Sequence, residues 1–281
     1  MSGTLGHAAW VLRGNPLTAM AAAGAALIVA AAVIGPFLTA YDPVASNVMI
    51  ALQPPSAAHP FGTDQLGRDV LSRVVAAARL DLAIAVSAVS LSFAVGATLG
   101  AACGYVGGRL DRWVGRMADV LMAFPLFVLA MALVAALGNR VENIVYATAL
   151  INLPFYVRFA RTEVNVRRGA GWVEAARASG NGPWRVVTRF LLPNILPVLA
   201  VQVSLNLGWA ILNAAGLSFI GLGVRPPTPE WGIMVAEGAR FISSGKWWLV
   251  FFPGAALMGC VLCFNLLGDG LRDILDPRMR T

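Results

Sequence analysis

The chain has 281 residues, of which 58% are hydrophobic and only 12% are charged. Because soluble globular proteins carry about 25% charged residues, this composition excludes an ordinary soluble enzyme and indicates a chain embedded in a membrane. The net charge of +7 is typical of arginine-rich loops at a membrane surface, and nucleic-acid binding is not predicted.

Hydropathy predicts an all-α membrane protein with six transmembrane helices. The predicted spans are 17–40, 80–104, 117–137, 143–159, 195–222 and 247–267. The first is longer than the roughly 7 to 15 residues of a signal-peptide core, so an uncleaved span is favoured over a signal peptide. Pro154, Pro197 and Pro253 are expected to break the backbone of three spans, which is tolerated where protein or a cavity covers the break.

The arginines predict the orientation of these spans. An even number of spans places both termini on one side. If that side is the cytoplasm, inner segments hold about twice as many basic residues as outer ones. The transmembrane domain would then be 17–281, after a cytoplasmic N-terminus at 1–16. Its outer loops would be 41–79 and 223–246, its long inner loop 158–192, and its cytoplasmic C-terminus 268–281.

The three cysteines do not indicate a metal site. Cys260 and Cys263 form a C-x-x-C pair, but both lie within an apolar run, and neither His7 nor His59 is near them in the sequence. Together with Cys103 they are interpreted as small buried hydrophobic residues, and no metal is predicted.

The inner loop 158–192 contains two short helix signals. Val173–Ala178 favours a helix that ends at Gly180, because glycine is the usual residue at a helix C-terminus, and Pro183 can open a second helix. Two such helices at the membrane surface could form a knob that enters a groove on a partner protein. A basic amphipathic loop lying on anionic lipid is the equal alternative.

Small and polar residues inside the spans suggest how helices pack. Gly96, Gly100 and Gly104 form a ribbon on one helix face, interpreted as a close helix–helix contact. On the fifth span, three amide side chains fall within about 40° of each other: Gln202, Asn206 and Asn213. They would either line a polar passage or hydrogen-bond to neighbouring helices, and the sequence favours neither.

The outer segment 223–246 is rich in proline and contains Trp231. It is expected to be a semi-rigid element near the mouth of a pathway, touching a protein that delivers substrate, or else a packed cap on the helices. An ATP-binding loop is not predicted, because a P-loop requires a Gly-Lys-Ser/Thr sequence and Lys246, the one lysine, is followed by tryptophan. The chain is therefore predicted to take its energy from a partner chain, and no bond chemistry of its own is predicted.

Several strings of residues resemble those of ABC importer permeases. Glu174, Ala175, Ala176 and Gly180, followed by Leu192-Pro193-Asn194, resemble the loop with which such permeases contact their ATPase subunits. The family often has histidine before its Leu-Pro-Asn, where this chain has Phe190 and Leu191. The resemblance implies that Glu174 makes polar contacts with the ATPase and that Gly180 permits the turn.

Longer strings narrow the resemblance to the C-type permeases of dipeptide, oligopeptide and nickel importers. They are residues 59–73, 104–111, 119–125, 217–232 and 264–277, and the resemblance covers about 10–280. Asp64, Arg68 and Asp69 in the first string, and Trp231 in the fourth, become candidate outer contacts.

The resemblance implies a type I ABC importer permease fold in a bacterial inner membrane. It implies four kinds of partner: a homologous permease subunit forming a heterodimer, two ABC ATPase subunits, an extracytoplasmic binding protein, and membrane lipid. ATP and Mg²⁺ would bind the ATPases, and this subunit would hold no cofactor. Short peptides are the expected cargo, with nickel, glutathione, haem or another small solute as alternatives. A stand-alone secondary transporter is disfavoured, because charged coupling sites and inverted repeats were not found.

Overall fold

The computed structural model describes residues 15–275, with side chains described as far as residue 272. This part of the chain is all-α, which confirms the predicted fold class. Its helices are α1 (Pro16–Leu38), α2 (Val70–Val106), α3 (Gly108–Ala123), α4 (Leu126–Leu137), α5 (Val141–Arg167), α6 (Gly171–Ala178), α7 (Pro183–Val186), α8 (Leu192–Phe219), α9 (Trp231–Ala239) and α10 (Trp248–Leu275). The predicted cytoplasmic residues 1–14, with His7 and Arg13, and 276–281, with Arg278 and Arg280, lie outside the described residues.

The helices supply the membrane crossings that hydropathy predicts. Within residues 15–275, four stretches are long and apolar enough to cross a membrane, namely α1, α2, the run Pro183–Phe219, and α10, while α3 and α4 form a bent fifth. α5 is more polar, but its 27 residues extend about 40 Å. These six segments correspond to the six predicted spans.

Large apolar side chains on the outside of the helices are what a lipid environment requires. On α1, Met20, Leu27 and Phe37 are 70%, 71% and 82% exposed, although the helix as a whole is strongly apolar. Exposing such side chains to water would be costly, whereas lipid tails are as apolar as they are.

The third predicted span is not one continuous helix. α3 and α4 meet at an angle of 92°, with Phe124 extended between them. Proline disfavours helical backbone in the residue before it, so Pro125 causes this break. α3 begins equally abruptly, because Gly107 and Gly108 both have positive φ and turn the chain away from the end of α2.

The three prolines that were expected to break the backbone lie inside helices instead. Pro154 lies in α5, Pro197 in α8 and Pro253 in α10. Membrane helices accommodate an internal proline because the surrounding protein can satisfy the freed backbone groups. The prediction of interrupted spans at these positions is wrong.

Among the described residues, α2 and α5 share the most extensive helix–helix contact, and the glycine ribbon lies between them. A Cβ atom at Gly96 would lie 2.7 Å from the Cβ of Tyr156, and one at Gly104 would lie 2.7 Å from the carbonyl oxygen of Arg161. Gly100 faces the carbonyl oxygen of Val157 in the same way. The interpretation of the ribbon as a packing surface is confirmed.

At one end of the bundle, residues 41–69 and α9 form a cap. The rings of Phe61 and Phe252 stack with centroids 3.9 Å apart, and the indole Nε1 of Trp248 donates to the carbonyl oxygen of Thr63 at 3.3 Å. The opposite end carries α6 and α7. The cap and these two short helices therefore lie at opposite ends of α2 and α5.

Candidate coupling surface, pathway residues and outer cap

The two short helices predicted in the inner loop are present. α6 ends where Gly180 adopts a left-handed conformation, with φ of +81°, and its N–H donates to the carbonyl of Arg177 at 2.9 Å. α7 starts at Pro183, where a missing N–H is harmless because the first turn has no partner for it. The cap at Gly180 sets the direction in which the chain leaves α6.

These helices are held to the bundle by a small apolar cluster. Val173 of α6 and Val186 of α7 are fully buried, and they pack in one cluster with Ala101 of α2 and Val164 of α5. Burying such side chains contributes about 1.5 to 3 kcal/mol each. The two helices are therefore joined rigidly to the helix pair α2–α5, and a displacement of one moves the other.

A polar contact fixes the same helix against α2. The Nε of Arg177 donates to the hydroxyl of Tyr105 at 2.8 Å, and the guanidinium carbon lies 4.7 Å from the centre of the Tyr105 ring. A cation over an aromatic face contributes roughly 0.5 to 1 kcal/mol at an exposed site. Arg177 thus orients α6 as well as contributing charge.

The exposed side of α6, α7 and the start of α8 carries most of the site residues that the sequence predicts for the inner loop. Glu174, Ala175 and Gly180 are exposed and Pro193 is exposed at the start of α8, but Ala176 is 5% exposed and belongs to the buried side of α6. We call the exposed face of α6 and α7 the coupling surface.

Two tryptophans on the coupling surface were not among the predicted site residues. Trp172 is 40% exposed and Trp184 is 62% exposed. Tryptophan is enriched among the residues that dominate protein–protein binding energy. The spacing of two aromatic residues around the Glu-Ala-Ala string was the signal that could have revealed them.

The three amides of α8 lie in different surroundings. Gln202 and Asn206 are half-buried, whereas Asn213 is 7% exposed. The Nδ2 of Asn206 and the Oδ1 of Asn213 are buried and have no hydrogen-bond partner in the described structure. Asn206 faces the hydroxyl of Tyr156, which also lacks a close partner. A part in lining a pathway stays a prediction for all three.

The candidate outer contacts lie inside the cap. Asp64, Arg68, Asp69 and Trp231 are at most 5% exposed, and their partners belong to this chain. The Nε of Arg68 donates to Asp64 at 2.5 Å, and its Nη2 lies 3.4 Å from a carboxylate oxygen of Glu237 in α9. These side chains shape the outer face from within, and their contact with another protein stays a prediction.

Asp69 fixes the start of α2. One carboxylate oxygen accepts from the N–H of Ser72 at 2.8 Å, and the other lies 2.9 Å from the Nδ1 of His59. A capping carboxylate satisfies a helix N–H that would otherwise lack a partner. His59 therefore connects the loop of the cap to the helix that runs to the coupling surface.

Two buried carboxyl groups join α9 to the bundle, and no pattern in the sequence predicts this contact. Asp81 of α2 is 3% exposed and accepts from the N–H of Trp231 at 3.1 Å. Glu230 is 1% exposed and caps α9 by accepting from the N–H groups of Gly232 and Ile233 at 2.9 and 2.7 Å. The two carboxyl groups lie side by side, although Asp81 and Glu230 are far apart in the sequence.

Burial raises the pKa of Glu230 above its ordinary value. The two backbone donors of α9 and the hydroxyl of Ser218 oppose this shift, but loss of hydration is the larger cause. A neutral carboxyl group can donate a hydrogen bond to a neighbouring carboxylate, so a single proton can hold this pair together.

Comparison with known proteins identifies what this chain resembles. Residues 96–281 match the model of the family described as binding-protein-dependent transport system inner membrane component. The chain is 43% identical to a probable D,D-dipeptide transport system permease protein of Escherichia coli strain K12, over 96% of this chain and 90% of that protein. It is 43% identical to a dipeptide transport system permease protein of Alkalihalophilus pseudofirmus, over 89% of this chain and 82% of that protein. A glutathione transport system permease protein of Pectobacterium atrosepticum is 40% identical over 81% of this chain and 75% of that protein.

Proposed function

The chain belongs to the family of binding-protein-dependent transport system inner membrane components, and we propose that it forms half of the membrane pathway of an ATP-driven importer of short peptides. In this proposal a homologous permease subunit supplies the other half. The complex contains two ATPase subunits, which hold the ATP and Mg²⁺, and an ATPase subunit binds the coupling surface of this chain. An extracytoplasmic protein delivers the cargo to the outer cap.

The rigid attachment of the coupling surface carries this proposal. Glu174, Trp172 and Trp184 are free to contact a partner, while Val173 and Val186 are locked into α2 and α5. A force applied by a partner would therefore move the helices that end at the outer cap. Transport by alternating access requires such a connection between two global states.

The proposed orientation places the coupling surface and both termini in the cytoplasm. It is supported by the excess of arginines at that end of the bundle. The catalytic step of ATP hydrolysis is assigned to the partner subunits, so this chain binds, transmits movement and encloses the pathway.

Short peptides are proposed as cargo because the relatives are named for dipeptides and for glutathione. In the membrane, the two half-buried amides of α8, Gln202 and Asn206, would offer hydrogen bonds to the peptide groups of a passing cargo. Uncharged amides suit this role because they bind peptide groups without selecting for one charge.

Docking is tested by purifying the complex with two variants of the coupling surface. Glu174→Arg reverses the charge of the surface, and Gly180→Trp forces a bulky residue into a left-handed conformation. Both should remove the ATPase from the purified complex. Glu142→Arg, the same exchange at the opposite end of α5, is the matched control and should retain it. Retention of the ATPase by both coupling variants would overturn the docking proposal.

Cargo is tested by growth on peptides. A strain that lacks this chain and needs one amino acid should fail to grow when that amino acid is supplied only as a dipeptide or tripeptide. The wild-type gene should restore growth and Glu174→Arg should not. Normal growth of the strain without this chain, in the absence of other peptide importers, would contradict a peptide cargo and favour the other small solutes.

A further inference from the structure

α3 crosses α5 at Val157 and separates two unlike clefts. On one side is an apolar cleft of about 250 Å³ whose walls include Leu99 and Leu153. On the other is a crevice of about 670 Å³ lined by α3 and by the stretch of α5 that leads to the coupling surface. We call this second cleft the basic crevice. Its lining residues are Gly108, Asp111, Arg112, Gly115, Arg116, Asp119, Val157, Arg158, Arg161 and Thr162.

The ion pairs show that α3 lies obliquely across α5. Asp111 pairs with Arg161, and Asp119 pairs with Arg158. The two aspartates are separated by about 12 Å along α3, but their partners are separated by only about 4.5 Å along α5. α3 therefore runs across α5 rather than along it, and the 92° bend then turns α4 away from the direction of α3.

The two faces of α3 match a helix lying in a membrane interface. Trp113 and Met117, which line the apolar cleft, are 66% and 52% exposed. Arg112 and Arg116 line the basic crevice, about 100° around the helix from Trp113 and Met117. A helix with aromatic and apolar residues on one side and arginines on the other lies at the boundary between headgroups and acyl chains.

The basic crevice has more positive than negative charge. It is lined by four arginines and two aspartates, and both aspartates are engaged by Arg158 and Arg161. Among the described residues, Arg112 and Arg116 make no ion pair. Two guanidinium groups are thus free to bind an anion, and arginine suits phosphate because its donors match two phosphate oxygens.

We propose that the basic crevice binds the phosphate group of an anionic phospholipid. Arg112 and Arg116 contact the phosphate, and the acyl chains extend along the exposed apolar face of α3. A phospholipid is the expected ligand because of the depth at which the crevice would lie in the membrane. The apolar face of α3 would be buried among acyl chains, and its arginines would then lie at the depth of the phosphate headgroups. Binding there would hold α3 in its oblique position beside the helix pair that carries the coupling surface.

The proposal is tested with the full chain purified together with its partner subunits. Phosphatidylglycerol and phosphatidylcholine are titrated into the detergent-solubilised complex, and bound lipid is counted by native mass spectrometry. The wild-type complex should retain phosphatidylglycerol in preference to phosphatidylcholine. Arg112→Gln with Arg116→Gln should weaken retention of phosphatidylglycerol roughly thirtyfold, at roughly fivefold for each arginine.

Two further variants separate the crevice from general charge effects. Arg109→Gln removes an exposed arginine of the same helix that does not line the crevice, and it should leave retention unchanged. Asp119→Asn removes a carboxylate from the crevice and frees Arg158, so it should strengthen retention. This change in the opposite direction cannot result from misfolding.

Three results would overturn the proposal. One is equal retention of phosphatidylglycerol by the wild type and the double variant. Another is displacement of bound phosphatidylglycerol by an equal concentration of inorganic phosphate, seen in the same mass spectra, which would identify a site for free phosphate. The third is displacement of the lipid by millimolar dipeptide, which would make the crevice a cargo site. None of these results depends on whether the ATPase binds the coupling surface.

Discussion

Replacing Gly96 by alanine tests the close contact between α2 and α5. The added Cβ would lie 2.7 Å from the Cβ of Tyr156 and 3.0 Å from the carbonyl oxygen of Leu153. Carbon atoms in van der Waals contact lie about 3.5 to 4.0 Å apart, so the helices would have to separate by about 1 Å. Overpacking of this kind costs about 1 to 3 kcal/mol, of which the better helix propensity of alanine offsets up to about 1 kcal/mol.

Gly259→Ala in α10 is the matched control. No atom lies within 4 Å of the position that its Cβ would occupy. Only the gain in helix propensity remains, so this variant should be stabilised by up to about 1 kcal/mol.

The measurement is thermal unfolding of the purified complex in detergent. The gain in helix propensity is common to both variants, so they should differ by the overpacking cost of about 1 to 3 kcal/mol, and at about 2 to 4 °C per kcal/mol the Gly96→Ala variant should unfold roughly 2 to 12 °C below the control. Equal unfolding temperatures for the two variants would refute the close contact between α2 and α5 that this reasoning depends on.

Three further predictions concern the ends of the bundle. Arg177→Ala should weaken ATPase binding in a pull-down, and Tyr105→Phe should do so less, because it removes the hydrogen bond and keeps the ring. Asp69→Ala removes the cap of α2 and should lower the free energy of unfolding by about 1 kcal/mol or more, which is measured as a lower unfolding temperature. Asp69→Asn keeps an oxygen that can accept from the N–H of Ser72, so it should retain most of the wild-type stability. The raised pKa of Glu230 means that its carboxyl group holds a proton more tightly in the folded chain than in the unfolded chain. Stability should therefore fall as pH rises from the ordinary value of 4.5 through the raised pKa, and Glu230→Gln should reduce this slope in thermal unfolding measured at successive pH values. A Glu230→Gln variant with the same slope as the wild type would contradict this assignment.

The residues of the coupling surface could be predicted because their determinants are local. The left-handed turn at Gly180 and the start of α7 at Pro183 depend on backbone preferences of single residues. Whether a neighbouring side chain faces outward depends on packing against other helices, and for that reason Ala176 was grouped with the exposed Glu174 although it is buried.

The sequence by itself determined the membrane location, the number of apolar segments and the glycine ribbon, because hydropathy and small-residue spacing are properties of short stretches. Only the tertiary structure decided that Asp64 and Arg68 are buried within the cap. Only the tertiary structure brought Asp81 beside Glu230. Each of these depends on contacts between residues distant in the chain, and such contacts leave no periodic pattern in the sequence.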